Sequence, residues 1–318
     1  MPLSGIVLVT GGAGFIGSHI AETVARSGAR VRVIDDLSTG HAENLEEIGG
    51  RVEFVRGSLN DPEALRRALA GVELVFHEAA FPSVPRSVEN PAETHRACVE
   101  ATFALLAAAR EAGVRRLVYA ASSSAYGDQP TLPKTEEMPP QPLSPYAAAK
   151  LVGEYYCQVW TRTYRFETVC LRYFNIFGPR QDPSSTYSGV ISRFISALMK
   201  GERPQIYGDG EQTRDFTYVA NAVDANLRAA DAAGAVGQVI NVANGEQTSL
   251  NRLLGVLKKI TGRTELEAER HAPRVGDVLH SLADITRARE LLGYEPQVQL
   301  EEGLRLTLEW WKQSRFAR

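Results

Sequence analysis

The chain has 318 residues, 35 of them basic and 38 acidic, for a net charge of −3. Hydrophobic residues make up 44% and charged residues 23%, the proportions of an ordinary globular protein with one large domain or two of usual size. The charge balance, without a long run of one sign, argues against a nucleic-acid partner, and no apolar run reaches the ~20 residues that span a bilayer.

In chain order, the first half alternates short apolar runs with helical patterns. Residues 5–11 read as a buried strand, followed by a helix to about Ala25. Residues 29–36, 52–58, 72–80 and 115–123 read as further strands, with helices over 62–69 and 91–112. Strands that are apolar throughout, rather than on alternate residues, belong in a parallel sheet covered on both faces. A helix from Pro145 to about Tyr164 and a strand over 167–175 continue the pattern, which loosens after Gly178. The expected fold is α/β: a Rossmann-type doubly wound sheet over 1–178, with a smaller mixed α/β lobe over 179–318 and some segments crossing back. Cys98, Cys157 and Cys170 match neither a zinc spacing nor a disulfide framework and read as reduced and buried. Without a basic leader segment, a cytoplasmic protein is expected. No histidine falls at ligand spacing, so no metal is expected.

The segment TGGAGFIGSH, residues 10–19, places Gly11, Gly14 and Gly17 between the first strand and its helix. Glycines there permit a tight turn and close backbone approach to a pyrophosphate, and the helix N-terminus supplies amide donors. The second strand ends in Asp35 and Asp36, carboxylates that accept from ribose hydroxyls and repel a 2′-phosphate, favouring NAD over NADP.

The segment SPYAAAK carries Tyr146 and Lys150 four residues apart, on one helix face. A phenol of ordinary pKa, about 10, is a poor base at neutrality, and a nearby ammonium favours the phenolate. The fifth strand runs into three serines, Ser122, Ser123 and Ser124, at the strand end where a doubly wound sheet faces its ligand.

Taken together, TGGAGFIG, the serine-ended strand, SPYAAAK, LRYFNIFGPRQ, GDGEQTRDF and RVGDVLHSLAD resemble the extended short-chain dehydrogenase/reductases. The likeness is to the NAD-dependent sugar-nucleotide epimerase/dehydratase family, and within it most to the UDP-N-acetylhexosamine 4-epimerases. It covers nearly the whole chain. The resemblance implies Ser122, four residues before Tyr126, as partner of the sugar 4-oxygen, with Tyr146 as acid–base and Lys150 as its support on the nicotinamide ribose. It implies tightly bound, recycled NAD held by Gly11, Gly14, Phe15, Ile16, Gly17, Asp35, Asp36, Ser38, Thr39 and Gly40. Ser58, Leu59, Ala79, Ala80, Tyr146, Lys150 and Tyr173 complete that cofactor set. For the UDP-sugar it implies Arg214 and Arg274 on the diphosphate, Asp277 on the uridine ribose and Asn175 on phosphate or sugar. Ser83, Arg86, Ser122, Ser123, Ser124, Tyr146, Val190, Tyr207 and Ser281 would line the rest of that site.

The related 4,6-dehydratases carry Thr-Asp-Glu where this chain has Ser122-Ser123-Ser124, and the trio brings no acid for water elimination. Hexose-restricted epimerases carry a bulky tyrosine at the place of Ser281, so room for an N-acetyl group is expected, and with it UDP-GlcNAc and UDP-GalNAc as substrates. UDP-glucose/UDP-galactose and a UDP-hexuronic acid stay open as alternatives, as does an inactive NAD-sensing protein. Ser58-Leu59, Cys98 and Ser192 depart from the family's usual residues, and His77 reads as structural. A homodimer is implied, through residues 91–112 and Pro145–Tyr164 as a four-helix bundle.

Overall fold

The computed structural model describes residues 5–182, 189–273 and 278–314. Its centre is a seven-stranded parallel sheet. Six strands come from the first half: β1 (Ile6–Thr10), β2 (Arg30–Asp35), β3 (Val52–Arg56), β4 (Val72–His77), β5 (Arg116–Ser122) and β6 (Glu167–Tyr173). The seventh, Val239–Val242, comes from far downstream and pairs with β6. The spatial order is Val239–Val242, β6, β5, β4, β1, β2, β3.

Alternate side chains feed the two faces, as strand geometry requires. Val7 and Val9 join one apolar cluster and Leu8 the other. The first cluster runs without a break from Val7 to Leu304 and Trp311, so the C-terminal helix Leu300–Gln313 shares a core with β1. The chain turns outward in opposite directions from β1 and β4, which are neighbours. This is the switch point, where a crevice opens at the carboxyl ends of the strands. Register carries Thr10, His77 and Tyr119 to one level, and Ser122 to that of Tyr173.

Six helices come from the same half: α1 (Phe15–Arg26), α2 (Pro62–Leu69), α3 (Val84–Glu89), α4 (Pro91–His95), α5 (Ala101–Glu111) and α6 (Pro145–Tyr164). The helix expected over 91–112 is interrupted: between α4 and α5 the turn Arg96–Glu100 is π-helical. Within it Cys98 Sγ accepts the Phe81 N–H at 3.4 Å. No helix among the described residues is long and apolar enough to cross a membrane. Short strand pairs and the helices Val190–Lys200 and Leu250–Thr261 build the opposite wall of the crevice.

Candidate active site

The crevice has a volume of about 1280 Å³. An ordinary ligand pocket holds roughly 300–1,000 Å³, so this one has room for a dinucleotide and a second ligand. At one end lies the glycine turn. Gly11 has φ +65°, and a Cβ there would lie 2.7 Å from the Ala79 backbone. A Cβ on Gly17 would lie 2.3 Å from the Gly11 carbonyl oxygen. Positions 11 and 17 are therefore closed to any side chain. Helix α1 starts directly behind it with Gly14 as N-cap, no side-chain cap bond and no acidic residue in its first turn. Its first amides, with the positive end of the helix dipole, are a ready site for phosphate.

Asp35 ends β2 and is buried. Its Oδ2 accepts the Ala13 N–H at 3.0 Å and its Oδ1 the Leu37 N–H at 2.8 Å, so it also braces the turn. Burial raises its pKa, with those two amides opposing. Asp36 Oδ1 accepts the Ser38 N–H at 2.9 Å. Phe15, Ile16, Asp35, Asp36, Ser38, Thr39, Ser58, Leu59, Ala79 and Ala80 all line the same end. Gly40 does not: it packs behind the turn, where a Cβ would meet Ala13 and the Asp35 carboxylate. The glycine cradle, the uncapped helix and the two carboxylates fit a dinucleotide.

Midway along the crevice, α6 begins. Ser144 is its N-cap, accepting the Ala147 N–H at 3.1 Å, and Pro145 follows at the first helical position. Tyr146 is thus fixed in the first turn, with Lys150 one turn on. The Ser122 hydroxyl acts on the Tyr146 phenol to lower its pKa, and Lys150 is 3% exposed, with Nζ 4.5 Å from the Tyr119 ring centroid. Spacing alone suggests that Lys150 holds the phenol down, and burial acts in the opposite sense. Burial raises Tyr146 well above the ordinary phenol range, against the influence of Ser122. Burial also lowers Lys150. Ser124 Oγ donates to Ser122 Oγ at 2.8 Å, leaving the Ser122 proton to point at Tyr146 or a ligand oxygen. Ser123 lines the crevice beside them.

His77, next to this centre, turns away from it. Its Nδ1 meets Thr10 Oγ1 at 2.8 Å and its Nε2 meets Thr102 Oγ1 at 2.9 Å. Burial pushes it down to about 3, so it is a neutral structural group. Its neighbour Glu78, a residue that pattern reading missed, lines the crevice and accepts from the Tyr173 hydroxyl at 2.8 Å.

The far end carries the residues expected to meet the second ligand. Ser83 Oγ caps α3 by accepting the Arg86 N–H at 3.2 Å, and the Arg86 guanidinium lies 3.7 Å from the Phe81 ring centroid. Asn175 adopts φ +39° and donates to the Asp215 carbonyl at 3.0 Å. Tyr207 stacks on His271, ring centroids 5.1 Å apart. Arg214 donates to the Thr213 and Leu279 carbonyls at 2.8 and 3.3 Å. Val190 opens its helix, and Ser281 donates its N–H to the Thr213 carbonyl at 3.2 Å. All of these face the same crevice. Arg274 and Asp277 lie outside the described residues. Among the described residues, no group of three His, Cys, Asp or Glu side chains could hold a metal ion.

Residues 7–243 match the NAD dependent epimerase/dehydratase family. A UDP-glucose 4-epimerase of Mycolicibacterium smegmatis is 43% identical over 310 residues, 96% of this chain and 98% of that one. The crystal structure of a UDP-glucose 4-epimerase with UDP-glucose, from Thermotoga maritima, superposes with a TM-score of 0.92 at 40% identity, covering 97% of this chain and 99% of that one. A UDP-N-acetylglucosamine 4-epimerase from Methanobrevibacter ruminantium, in complex with UDP-N-acetylmuramic acid, gives 0.93 at 38% identity, with 98% and 99% covered. With these likenesses spanning nearly its full length and the glycine turn and Tyr–Lys helix in place, the chain belongs to the NAD dependent epimerase/dehydratase family.

Proposed function

We propose that the protein is an NAD-dependent UDP-sugar 4-epimerase that acts on UDP-GlcNAc and UDP-GalNAc through a transient 4-keto sugar. The observation that carries this reading is the meeting of Ser122, Tyr146 and Lys150 at the middle of one long crevice, between the dinucleotide cradle and the second ligand's end. Bound NAD would supply a reversible hydride acceptor at sugar carbon 4. Tyr146 takes the proton of the 4-hydroxyl as the carbon is oxidised and returns it to the same oxygen after the sugar has turned over. Ser122, fed by the Ser124 hydroxyl, donates to that oxygen in both orientations. Lys150 carries the positive charge that favours the phenolate. Arg214, with Arg274 and Asp277, would hold the nucleotide while the sugar rotates; charge-assisted arginine–phosphate contacts suit that task.

Ser281 on the crevice wall supports the N-acetyl preference, because a small side chain leaves space beside the sugar. A pocket that admits the acetyl group also admits the plain hexose, so UDP-glucose and UDP-galactose are expected as slower substrates. The partner we propose is a second copy of the chain. The outer faces of α5 and α6 expose Phe103, Val152, Tyr155, Val159 and Tyr164 side by side, an apolar stripe of the kind that protein interfaces cover.

Proton NMR tests the reading directly, with the purified protein, UDP-GlcNAc or UDP-glucose, and no added NAD. Appearance of UDP-GalNAc is expected, with UDP-galactose from the second substrate. Conversion of neither, even with NAD supplied, would overturn the epimerase reading. A Ser281→Tyr variant separates the substrates: kcat/KM for the N-acetyl sugar should fall by roughly 10–200-fold relative to that for the hexose. An unchanged ratio would remove Ser281 from the specificity argument.

A further inference from the structure

Asp215 ends the short strand Thr213–Asp215, next in the chain to Arg214, and is wholly buried. It does not line the crevice. Its carboxylate instead accepts three backbone N–H groups from two distant stretches. Oδ1 takes that of Asn244 at 3.0 Å, and Oδ2 takes those of Gly245 at 3.1 Å and Ala283 at 3.2 Å. Asn244 and Gly245 follow the last sheet strand, Val239–Val242, with Gly245 at φ +74°. Ala283 lies two residues beyond Ser281. The Asp215 carbonyl, for its part, accepts from Asn175 Nδ2 at 3.0 Å.

A buried carboxylate has to find donors, and amides that meet no acceptor are costly, so these bonds hold one another in place. The stretch carrying Ser281 is sewn down on its other edges as well. The Thr213 N–H donates to the Leu279 carbonyl at 2.9 Å, the Ser281 N–H to the Thr213 carbonyl at 3.2 Å, and the Lys134 N–H to the Leu282 carbonyl at 2.7 Å. The bond from Ala283 to Asp215 ties that stretch to Asn244 and Gly245. Asn175, Arg214 and Ser281 all line the far end of the crevice and come from parts of the chain far apart in sequence. Asp215 is the residue through which the three are joined: by its carbonyl to Asn175, by the chain to Arg214, and by its carboxylate to the Ser281 stretch.

We infer that Asp215 is a positioning residue for the second ligand's end: its carboxylate sets the spacing of Asn175, Arg214 and Ser281 before the UDP-sugar arrives. The inference rests on the UDP-sugar reading of that end proposed above. A frame set in the free protein spares the ligand the cost of ordering it. A frame left open lowers the apparent affinity by the fraction of molecules that hold the right arrangement. The proton and hydride steps fall to Ser122, Tyr146 and Lys150, on β5 and α6, so the effect belongs in binding.

The test uses the holoenzyme. Asp215→Asn keeps the outline of the side chain but replaces one acceptor oxygen by an N–H₂ group, which takes no amide proton. KM for the UDP-sugar, and Kd for UDP by calorimetry, should rise about tenfold or more, the worth of one hydrogen bond to a charged group. The value of kcat should stay within about threefold, the pattern of lost uniform binding, and the protein should still copurify with NAD. An unmoved KM, with or without a lower urea midpoint, would overturn the inference and leave Asp215 a purely structural residue. If Asp215→Asn fails to fold, Gly245→Ala decides. It keeps the carboxylate and strains one arm of the clamp at a positive φ, so KM should rise a few-fold, and an unmoved KM would again overturn the inference. If the wild-type protein binds no UDP, it is the functional reading that fails. Hydrogen exchange then still judges the frame: the amides of Asn244, Gly245 and Ala283 should be protected in the wild type and exchange faster in Asp215→Asn, and equal exchange in the two would overturn it.

Discussion

Replacing Tyr146 by Phe is expected to lower kcat by roughly 10²–10⁴-fold, the usual worth of a positioned general acid–base group, while the protein still copurifies with NAD. The ring keeps its packing and only the hydroxyl is lost. Loss of both turnover and cofactor would mean that the hydroxyl holds the site together rather than moving a proton. Unchanged turnover would sink the mechanism.

The size of that effect depends on how the phenol becomes a base, and the site makes this harder than the motif suggests. Burial raises Tyr146. Its place in the first turn of α6 contributes a helix-dipole effect of about 0.3–1 kcal/mol, less than one pKa unit. That is too little to bring a phenol from about 10 to neutrality. The greater part must come from cationic charge, of which Lys150 is the protein's own contribution. Lys150→Met should accordingly shift the acid limb of the pH profile upward. An acid limb that stays in place would mean that Lys150 does not supply that charge.

Much of this site is legible in the chain because its parts are local. The glycine turn, its helix and the Asp35 strand end lie within residues 10–36, and the serine, proline and tyrosine that open α6 are consecutive. What the sequence hides is set by partners far along the chain. Glu78 looks like any polar residue after a strand until Tyr173, 95 residues on, is seen to bond it. Ser83 reads as a pocket hydroxyl, yet its Oγ caps a six-residue helix too short to show a period. The π-helical turn at Cys98 leaves no mark in the hydrophobic pattern. The Tyr146–Lys150 spacing gives the pair but not the burial that dominates both titrations.

Distance along the chain also separates the partners in the second large effect, which concerns the bracing of α6. Tyr146, Lys150 and Glu154 are successive residues of one helical face, four apart. Glu154 meets Arg172 of β6 in a two-pronged pair, Nε to Oε2 at 2.9 Å and Nη2 to Oε1 at 2.6 Å. Both side chains are almost wholly buried, 2% and 3% exposed, and the guanidinium lies 4.6 Å from the Tyr126 ring centroid, just past the serines. The pair therefore ties the catalytic helix to the strand whose end carries Tyr173. Such a pair adds little net stability compared with apolar residues of the same shape, but removing one partner strands the other charge. Glu154→Leu is expected to cost about 3–5 kcal/mol, read as a lower urea midpoint with an unchanged slope. The double variant Glu154→Leu/Arg172→Met should recover most of that loss. If the single and double variants were equally unstable, the cost would lie in packing rather than in the stranded charge. If Glu154→Leu lost less than about 1 kcal/mol, it would rank with exposed ion pairs, and the pair would not be what holds α6 against β6.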